Sequence, residues 1–292
     1  MKIAIYARNT TDNVSEHIQL LFNILKELNV EVLIFESFYN FVKTELAIDC
    51  NFKTFSSHND LKDKVDYVLS LGGDGTFLET ITFVRDSEIP VLGINTGRLG
   101  FLANVAKEEI NDAIDSLMNK KFAIEKRTLL NVTNPKDLFG EVNYGLNELT
   151  ILKKDSSSMI IIHTFINGNF LNSYFADGLI IATPTGSTAY SLSCGGPLVM
   201  PGSQNFVITP IAPHNLNVRP LVISDNNIIT LKVEGRSPNY LLSLDSRNVV
   251  IDSSIELTLQ KADFCIHLIQ LENQNFYTTI RNKLLWGLDK RV

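Results

Sequence analysis

Two periods of apolar spacing alternate along the first hundred residues. Short runs of the kind that fill a buried strand, "KIAIYA" at 2–7, "VEVLIFE" at 30–36 and the stretch from Val65 to Leu71, are separated by a helical pattern over 15–28. Helical spacing resumes from Phe77 to Val84, which places the start of that helix near Thr76, and "IPVLGIN" at 89–95 supplies one more strand. Strands alternating with helices predict an α/β domain with a mostly parallel sheet. Such sheets meet ligands at the carboxyl ends of their strands, so the turn "GGDG" after Leu71 stands where a site is expected.

After a helix predicted over 108–119 the texture changes. "TLLNVT", "LNELTIL", "MIIIHTFINGNF", "LIIATP", "IITLKVE" and "IELTLQ" predict a second domain that is mostly β. Asn167 and Gly168 sit between two strand-like runs, as a tight hairpin requires. "NFYTTIRNKLLWG" has helical spacing, with Phe276, Ile280, Leu284 and Leu288 on one face and Gly287 near its end. The expected division is an α/β domain over 1–101, a β-rich domain over 102–272 and a helix over 273–292 that returns to the first domain.

Composition narrows the class. A chain of 292 residues, 45% hydrophobic, has enough apolar side chains for two cores. Its apolar runs fall short of the ~18 residues that span a bilayer, and its start lacks an apolar leader, so a cytoplasmic protein without a membrane partner is expected. The formal net charge of -6 without a Lys/Arg cluster argues against nucleic acid. Cys50, Cys194 and Cys265 are scattered and lack CxxC spacing, which argues against a disulfide framework or a zinc site.

Three constellations carry candidate chemistry. In "GGDGT", Gly72, Gly73 and Gly75 leave backbone N–H groups open to an anion, and a helix starting nearby adds its positive end. Asp74 among them is repelled by phosphate unless a divalent cation intervenes or it accepts a proton from a hydroxyl; the ordinary alternative is an Asp that caps the helix. In "GLNELTI", Asn147 and Glu148 offer an amide and a carboxylate suited to vicinal ribose hydroxyls, although an exposed loop before a strand reads the same way. In "FADGLIIATPTGSTAYSLSCGGPLV", Asp177 is followed by hydroxyls at Thr183, Thr185, Ser187 and Thr188, and Tyr190 presents an aromatic face. Ser and Thr are also ordinary turn residues, and a lone Tyr is more often packed than stacked on a ligand.

Taken in order, these motifs resemble the NAD kinase family, the ATP-NAD kinases of the GGDGT type. "GGDGT" at 72–76, "GINTGRLGFL" at 93–102, "NE" at 147–148, "DGLIIATPTGSTAYSLSCGGP" at 177–197, "PIAPHNLNVRPLV" at 210–222 and "LLWG" at 284–287 carry the resemblance over nearly the whole chain. It implies an α/β N-terminal domain (Rossmann-like, with an open mostly parallel sheet), an all-β C-terminal domain (a β-sandwich), and a C-terminal helix packed back on the first. It also implies a homo-oligomer, a dimer or tetramer. The implied reaction transfers a phosphoryl group from ATP to the 2′-hydroxyl of the adenosine ribose of NAD, with a divalent cation, Mg²⁺, bound mainly through ATP. Asp74 matches the essential acidic residue, acting as base, metal ligand or orienting group. Asn147 and Glu148 match positions that hold the ribose, and Asp177, Thr188, Ala189 and Tyr190 match positions lining the dinucleotide pocket. Gly72, Gly73, Gly75 and Thr76 are expected to meet phosphates, with Gly75 also near the substrate. Ser187, Ser191, His214 and Asp245 are further candidates.

Departures limit the match. No GxxxxGK[ST] pattern occurs and no lysine follows the glycine turn, so ATP needs another cation. Leu78 stands where a GxGxxG fingerprint would end, which argues against a simple NAD-binding dehydrogenase. In "SLDSRNV", Ser246 replaces a glycine common in the family, which puts the role of Asp245 in question. His214 is expected to be satisfied by structural hydrogen bonds. A lipid kinase of the diacylglycerol or sphingoid type shares a GGDGT-like turn, and a non-catalytic NAD(P)-binding sensor would share the pocket; both stand as alternatives.

Overall fold

The structure, a computed structural model, describes residues 1–8, 15–46, 52–97, 99–154, 159–272 and 274–287. Cys50, Leu288 and Arg98 of "GINTGRLGFL" lie outside the described residues. The chain divides into two compact units, Met1–Lys126 with Ile266–Val292, and Arg127–Cys265.

The first unit opens with β1 (Lys2–Ala7), α1 (Ser15–Glu27), β2 (Glu31–Phe35), α2 (Glu36–Thr44), β3 (Lys53–Phe55), β4 (Tyr67–Leu71), α3 (Asp74–Val84), β5 (Val91–Asn95), β6 (Val105–Ala106) and α4 (Ile110–Met118). Its strands lie in the order β3-β2-β1-β4-β5, every pairing parallel. β4 and β5 are buried at every position, as strands covered on both faces must be. On one face Ile3, Ile5, Leu69 and Leu92 pack with Ile18, Leu21, Phe22 and Leu25 of α1 and with Ile110, Ala113, Ile114 and Leu117 of α4. The i, i+3, i+4, i+7 spacing of the α1 set is the stripe that a core-facing helix needs. Tyr6 points the other way and meets Phe35 and Phe83 at centroid distances of 4.7 and 5.2 Å.

The second unit carries β7 (Phe122–Asn134) from Arg127 onward, β8 (Tyr144–Gly145), β9 (Glu148–Lys153), β10 (Ile160–Ile166), β11 (Asn169–Ala176), β12 (Gly178–Ala182), α5 (Tyr190–Ser193), β13 (Asn205–Ile211), β14 (Leu221–Ser224), β15 (Ile229–Gly235), β16 (Asn239–Leu244), β17 (Arg247–Asp252) and β18 (Glu256–Leu271) up to Cys265. One antiparallel sheet runs β14-β13-β12-β9-β16-β17, and β11-β10-β15-β18 run antiparallel in the other. Leu149, Ile151, Leu179 and Ile181 of the first meet Ile160, Ile162, Leu231 and Val233 of the second in a shared core, which makes a β-sandwich. Asn167 and Gly168 turn the β10–β11 hairpin with φ of +51° and +79°, the left-handed pair of a two-residue loop.

The boundaries differ from those expected at 101 and 273. Residues 102–126 and 266–272 fall in the first unit because α4, Ile269 and Leu271 bury their apolar side chains in its core. β18 therefore continues past "IELTLQ", and its Leu268 pairs parallel with Val91 of β5. α6 (Phe276–Leu284) also belongs to the first unit; Asn275 caps it, accepting from the Thr278 N–H at 2.9 Å, and Phe276 packs on Phe101 at 6.5 Å. The sequence pattern missed α2, β13, β16 and β17.

Leu179→Ala, which empties a fully buried position of the sandwich core, is expected to lower unfolding free energy by about 2–5 kcal/mol in urea titrations.

Candidate active site

β4 delivers the chain to a turn in which the glycines differ in purpose. Gly72 has φ +153°, and a Cβ there would lie 2.3 Å from Thr76 Oγ1, so backbone and space both demand glycine. Gly73 is extended and accepts from the N–H groups of Thr76 and Phe77 at 3.0 and 3.1 Å, which starts α3 at Asp74, two residues earlier than the apolar pattern suggests. A Cβ at Gly73 or Gly75 would meet nothing within 4 Å. Among the described residues the N–H groups of Gly73, Asp74 and Gly75 take no hydrogen bond, whereas Gly72 donates to the Ile94 carbonyl. Of the four positions expected to meet phosphate, Gly73 and Gly75 thus keep open donors; Gly72 and Thr76 spend theirs inside the chain.

Asp74 is not a helix cap. Its carboxylate reaches 27 to 29 residues along the chain, where Oδ2 accepts from the Phe101 N–H at 2.9 Å and Oδ1 from Leu102 and Ala103 at 2.9 and 3.0 Å. A Cβ on Gly100 would stand 2.0 Å from Oδ1, so that glycine exists to let the loop close on the carboxylate. Lys283 Nζ, on the last turn of α6, lies 3.5 Å from Oδ2 and 4.8 Å from the Phe101 ring centroid.

The second unit repeats the device. Asp245, at the β16–β17 turn with φ +52°, accepts from the N–H groups of Leu146, Asn147 and Glu148 at 2.8, 2.8 and 3.1 Å. From the other side Thr183 donates its hydroxyl to the Leu146 carbonyl at 2.5 Å and its N–H to the Asn147 carbonyl at 2.9 Å. A Cβ on Gly186 would collide with that Asn147 carbonyl at 2.0 Å. The pair is held by its backbone, leaving the side chains for other work. The Asn147 amide, half-buried, takes no hydrogen bond among the described residues. Glu148 is 9% exposed, and its Oε2 has no partner among them. Burial, and then the neighbouring Asp245 carboxylate, push the Glu148 carboxyl up to about 8, against a smaller opposing pull from the Tyr190 N–H. Burial also raises Asp245, opposed by the Leu146 and Asn147 amides and by the Arg247 guanidinium. A protonated Glu148 is a hydrogen-bond donor at neutral pH.

The hydroxyl-rich motif divides in two. Thr183 is committed as described, and Ser187 donates to the Pro184 carbonyl at 2.7 Å and accepts from the Val199 N–H at 3.0 Å. Ser191 pairs with Thr209 at 2.8 Å. These side chains are fully buried, and Thr185 nearly so, which corrects the expectation that they offer themselves to a nucleotide. Thr188 and Ala189 are half-buried, with the Thr188 hydroxyl on the Thr185 carbonyl at 3.0 Å, and Tyr190, opening α5, is 40% exposed. Asp177 is engaged by Lys153 at 2.6 Å. His214 is exposed: only its backbone N–H is used, donating to the Phe175 carbonyl at 2.7 Å, so the expected structural role for its ring is not found among the described residues. Sequence reasoning missed Gly100, the amides of 101–103 and Lys283, which lies 209 residues from Asp74 and carries no local signal.

Comparisons with known proteins cover nearly the whole chain. The profile of the ATP-NAD kinase N-terminal domain matches residues 3–122, and that of the ATP-NAD kinase C-terminal domain residues 146–271. NAD kinases of Cytophaga hutchinsonii and Flavobacterium psychrophilum are 48% and 49% identical over the full length of both chains. Among solved structures, a yeast NADH kinase complexed with NADH superposes with a TM-score of 0.86 at 25% identity, covering 100% of this chain and 89% of that one. An Archaeoglobus fulgidus NAD kinase in complex with ATP gives 0.76 at 26% identity, covering 96% of this chain and 99% of that one.

Glu148 gives the site a pH signature. Unfolded, its carboxyl loses its proton near the ordinary 4.5; folded, at about 8. Between these values the folded state holds the extra proton, so this group lowers stability as pH rises, by up to about 1.4 kcal/mol per pH unit. Glu148→Gln cannot ionise, and its stability relative to the parent is expected to grow from pH 5 to pH 8 in urea titrations. Parallel pH profiles for the two proteins would contradict the raised carboxyl.

Proposed function

The chain belongs to the ATP-NAD kinase family and phosphorylates NAD with ATP; we propose that the acceptor atom is the 2′-hydroxyl of the adenosine ribose and that Asp74 orients and deprotonates it. The observation that carries the reading is the pairing, in one turn, of a fixed carboxylate with three open N–H groups at the start of an eleven-residue helix. The N–H groups of Gly73, Asp74 and Gly75 hold donor phosphates, which the helix end favours. Asn147 accepts from and donates to ribose hydroxyls, and neutral Glu148 donates a further hydrogen bond without bringing charge of its own. Tyr190 stacks on the dinucleotide with Thr188 and Ala189 beside it, and Asp177 acts from its ion pair with Lys153.

No group of three metal-ligating side chains gathers among the described residues. The open backbone at Gly73 and Gly75 fits phosphates that bring their own Mg²⁺, and Asp74 stands between these two residues in the chain. A divalent cation on ATP neutralises charge as the phosphoryl group moves. We extend the proposal to a homo-oligomer, dimer or tetramer, supported by exposed Phe170 and Phe175 on edge strand β11 and Leu221 and Val222 on edge strand β14. A cytoplasmic location is part of the same reading; among the described residues no helix is long and apolar enough to cross a membrane. The lipid-kinase and sensor alternatives find no support in the relatives.

Asp74→Asn is expected to lower NADP formation from NAD, ATP and Mg²⁺ by at least about 10²-fold, and to cost about 1–3 kcal/mol because an amide NH₂ replaces one acceptor of the loop. Circular dichroism and NAD binding separate the two effects; a folded, NAD-binding variant with near-normal turnover would remove Asp74 from the chemistry. The glycines give a second check. Gly72→Ala is expected to lower stability by about 1–3 kcal/mol, whereas Gly75→Ala, in the first turn of α3 with nothing within 4 Å of the added Cβ, is expected to melt at or slightly above the parent and to raise KM for ATP.

A further inference from the structure

The glycine turn has no lysine of its own, yet the fold brings one from the far end of the chain. Lys283 approaches Asp74 Oδ2 at 3.5 Å while its ammonium sits over the Phe101 ring. Phe101 also meets Phe276 at the other end of α6, so one aromatic ring touches both ends of the helix that carries the lysine. The capped start of α6 fixes its position further.

The capacity of the carboxylate decides what this contact can do. A carboxylate offers about four lone-pair positions. Backbone N–H groups at 2.9, 2.9 and 3.0 Å fill three of them. The fourth, on Oδ2, is faced by Lys283 at 3.5 Å, the outer limit of hydrogen bonding. A hydroxyl that displaces a backbone donor must open the 101–103 loop; one that takes the fourth position needs only to move a flexible lysine head.

We propose that Lys283 is a further residue of the phosphoryl transfer: it holds Asp74 in the resting enzyme, yields the Oδ2 position to the ribose hydroxyl, and pairs with the phosphates of ATP at the open N–H groups of Gly73, Asp74 and Gly75. This rests on the kinase reading above. The bond from the ribose oxygen to Pγ forms as the bond from Pγ to the bridging oxygen of ADP breaks. The hydroxyl proton passes to Asp74 Oδ2 and then to solvent. Lys283 stays an ammonium throughout and supplies charge where the equatorial oxygens carry it.

The test compares the parent with Lys283→Met, which keeps the apolar stem over Phe101, and Lys283→Arg, which keeps the charge. Arg281→Met, on an exposed neighbour in α6, is the control. NADP formation is followed against ATP at saturating NAD, with melting temperature and direct calorimetric binding of ATP and NAD. Lys283→Met is expected to lose about 10²-fold in kcat/KM for ATP with NAD affinity and melting temperature unchanged, and Lys283→Arg to return to within about tenfold of the parent. Parent-like ATP kinetics in Lys283→Met would overturn the proposal, as would equal losses in the Met and Arg variants accompanied by lower melting temperatures, the mark of a structural contact. If the parent binds ATP but makes no NADP, the kinase reading fails; Lys283 is then judged by ATP affinity, and equal binding by the parent and Lys283→Met would reject it.

Discussion

A single carboxylate that gathers three successive backbone N–H groups is the constraint on which the site depends. Segment 101–103 has no strand or helix partner for these donors, and leaving them buried and unpaired costs about 1–3 kcal/mol each. Asp74 satisfies all three with one side chain, through bonds that are stronger because the acceptor is charged. Asp245 does the same for 146–148 in the other unit. In the second unit the motif is therefore positioned by a residue distant in sequence, and the Asn147 and Glu148 side chains are released from structural duty; in the first, Asp74 of the motif itself positions the distant loop. Removing either aspartate would orphan three donors at once, so the clasp and the geometry of its motif stand or fall together.

The clasp also sorts the protons. Burial raises both Glu148 and Asp245, but with unequal opposition: the Leu146, Asn147 and Glu148 N–H groups and the Arg247 guanidinium oppose the rise at Asp245, while at Glu148 only the Tyr190 N–H does and one oxygen has no partner among the described residues. When two carboxyls compete in a low-dielectric setting, the one with fewer donors takes the proton. That asymmetry fits the proposed chemistry. A neutral Glu148 can donate to a ribose oxygen, and it adds no negative charge where a substrate brings phosphates of its own.

Legibility in the sequence followed the range of the interaction. The α/β and β halves were readable because strand and helix periods are local, and the Asn167–Gly168 hairpin because its left-handed backbone needs those residues. The glycine turn was readable as a tight turn between a buried strand and a helix, because strand, glycines and helix follow one another locally. The fate of its aspartate was not, because a caps-the-helix reading and a clasps-a-distant-loop reading share the same local sequence. Hydroxyl density misled for a related reason: Ser187 and Ser191 look available until their partners, Val199 and Thr209, are placed beside them. The first boundary moved from 101 to 126 because α4 is amphipathic with no sign in its own pattern of which core it joins.

The glycines finish the separation between what folding requires and what a ligand requires. Gly72, Gly100 and Gly186 are fixed by protein atoms 2.0 to 2.3 Å from where a Cβ would stand, so the fold alone explains them. Gly73 and Gly75 have no such neighbour, and Gly75 lies inside a helix, where glycine is about 1 kcal/mol worse than alanine. A chain under no pressure but folding would not need glycine at position 75, whereas Gly73 is the helix N-cap, where glycine is itself preferred to alanine. In the proposed reading, the open space over Gly73 and Gly75, above N–H groups that take no partner among the described residues, admits a phosphate closer to the backbone than a methyl group would allow.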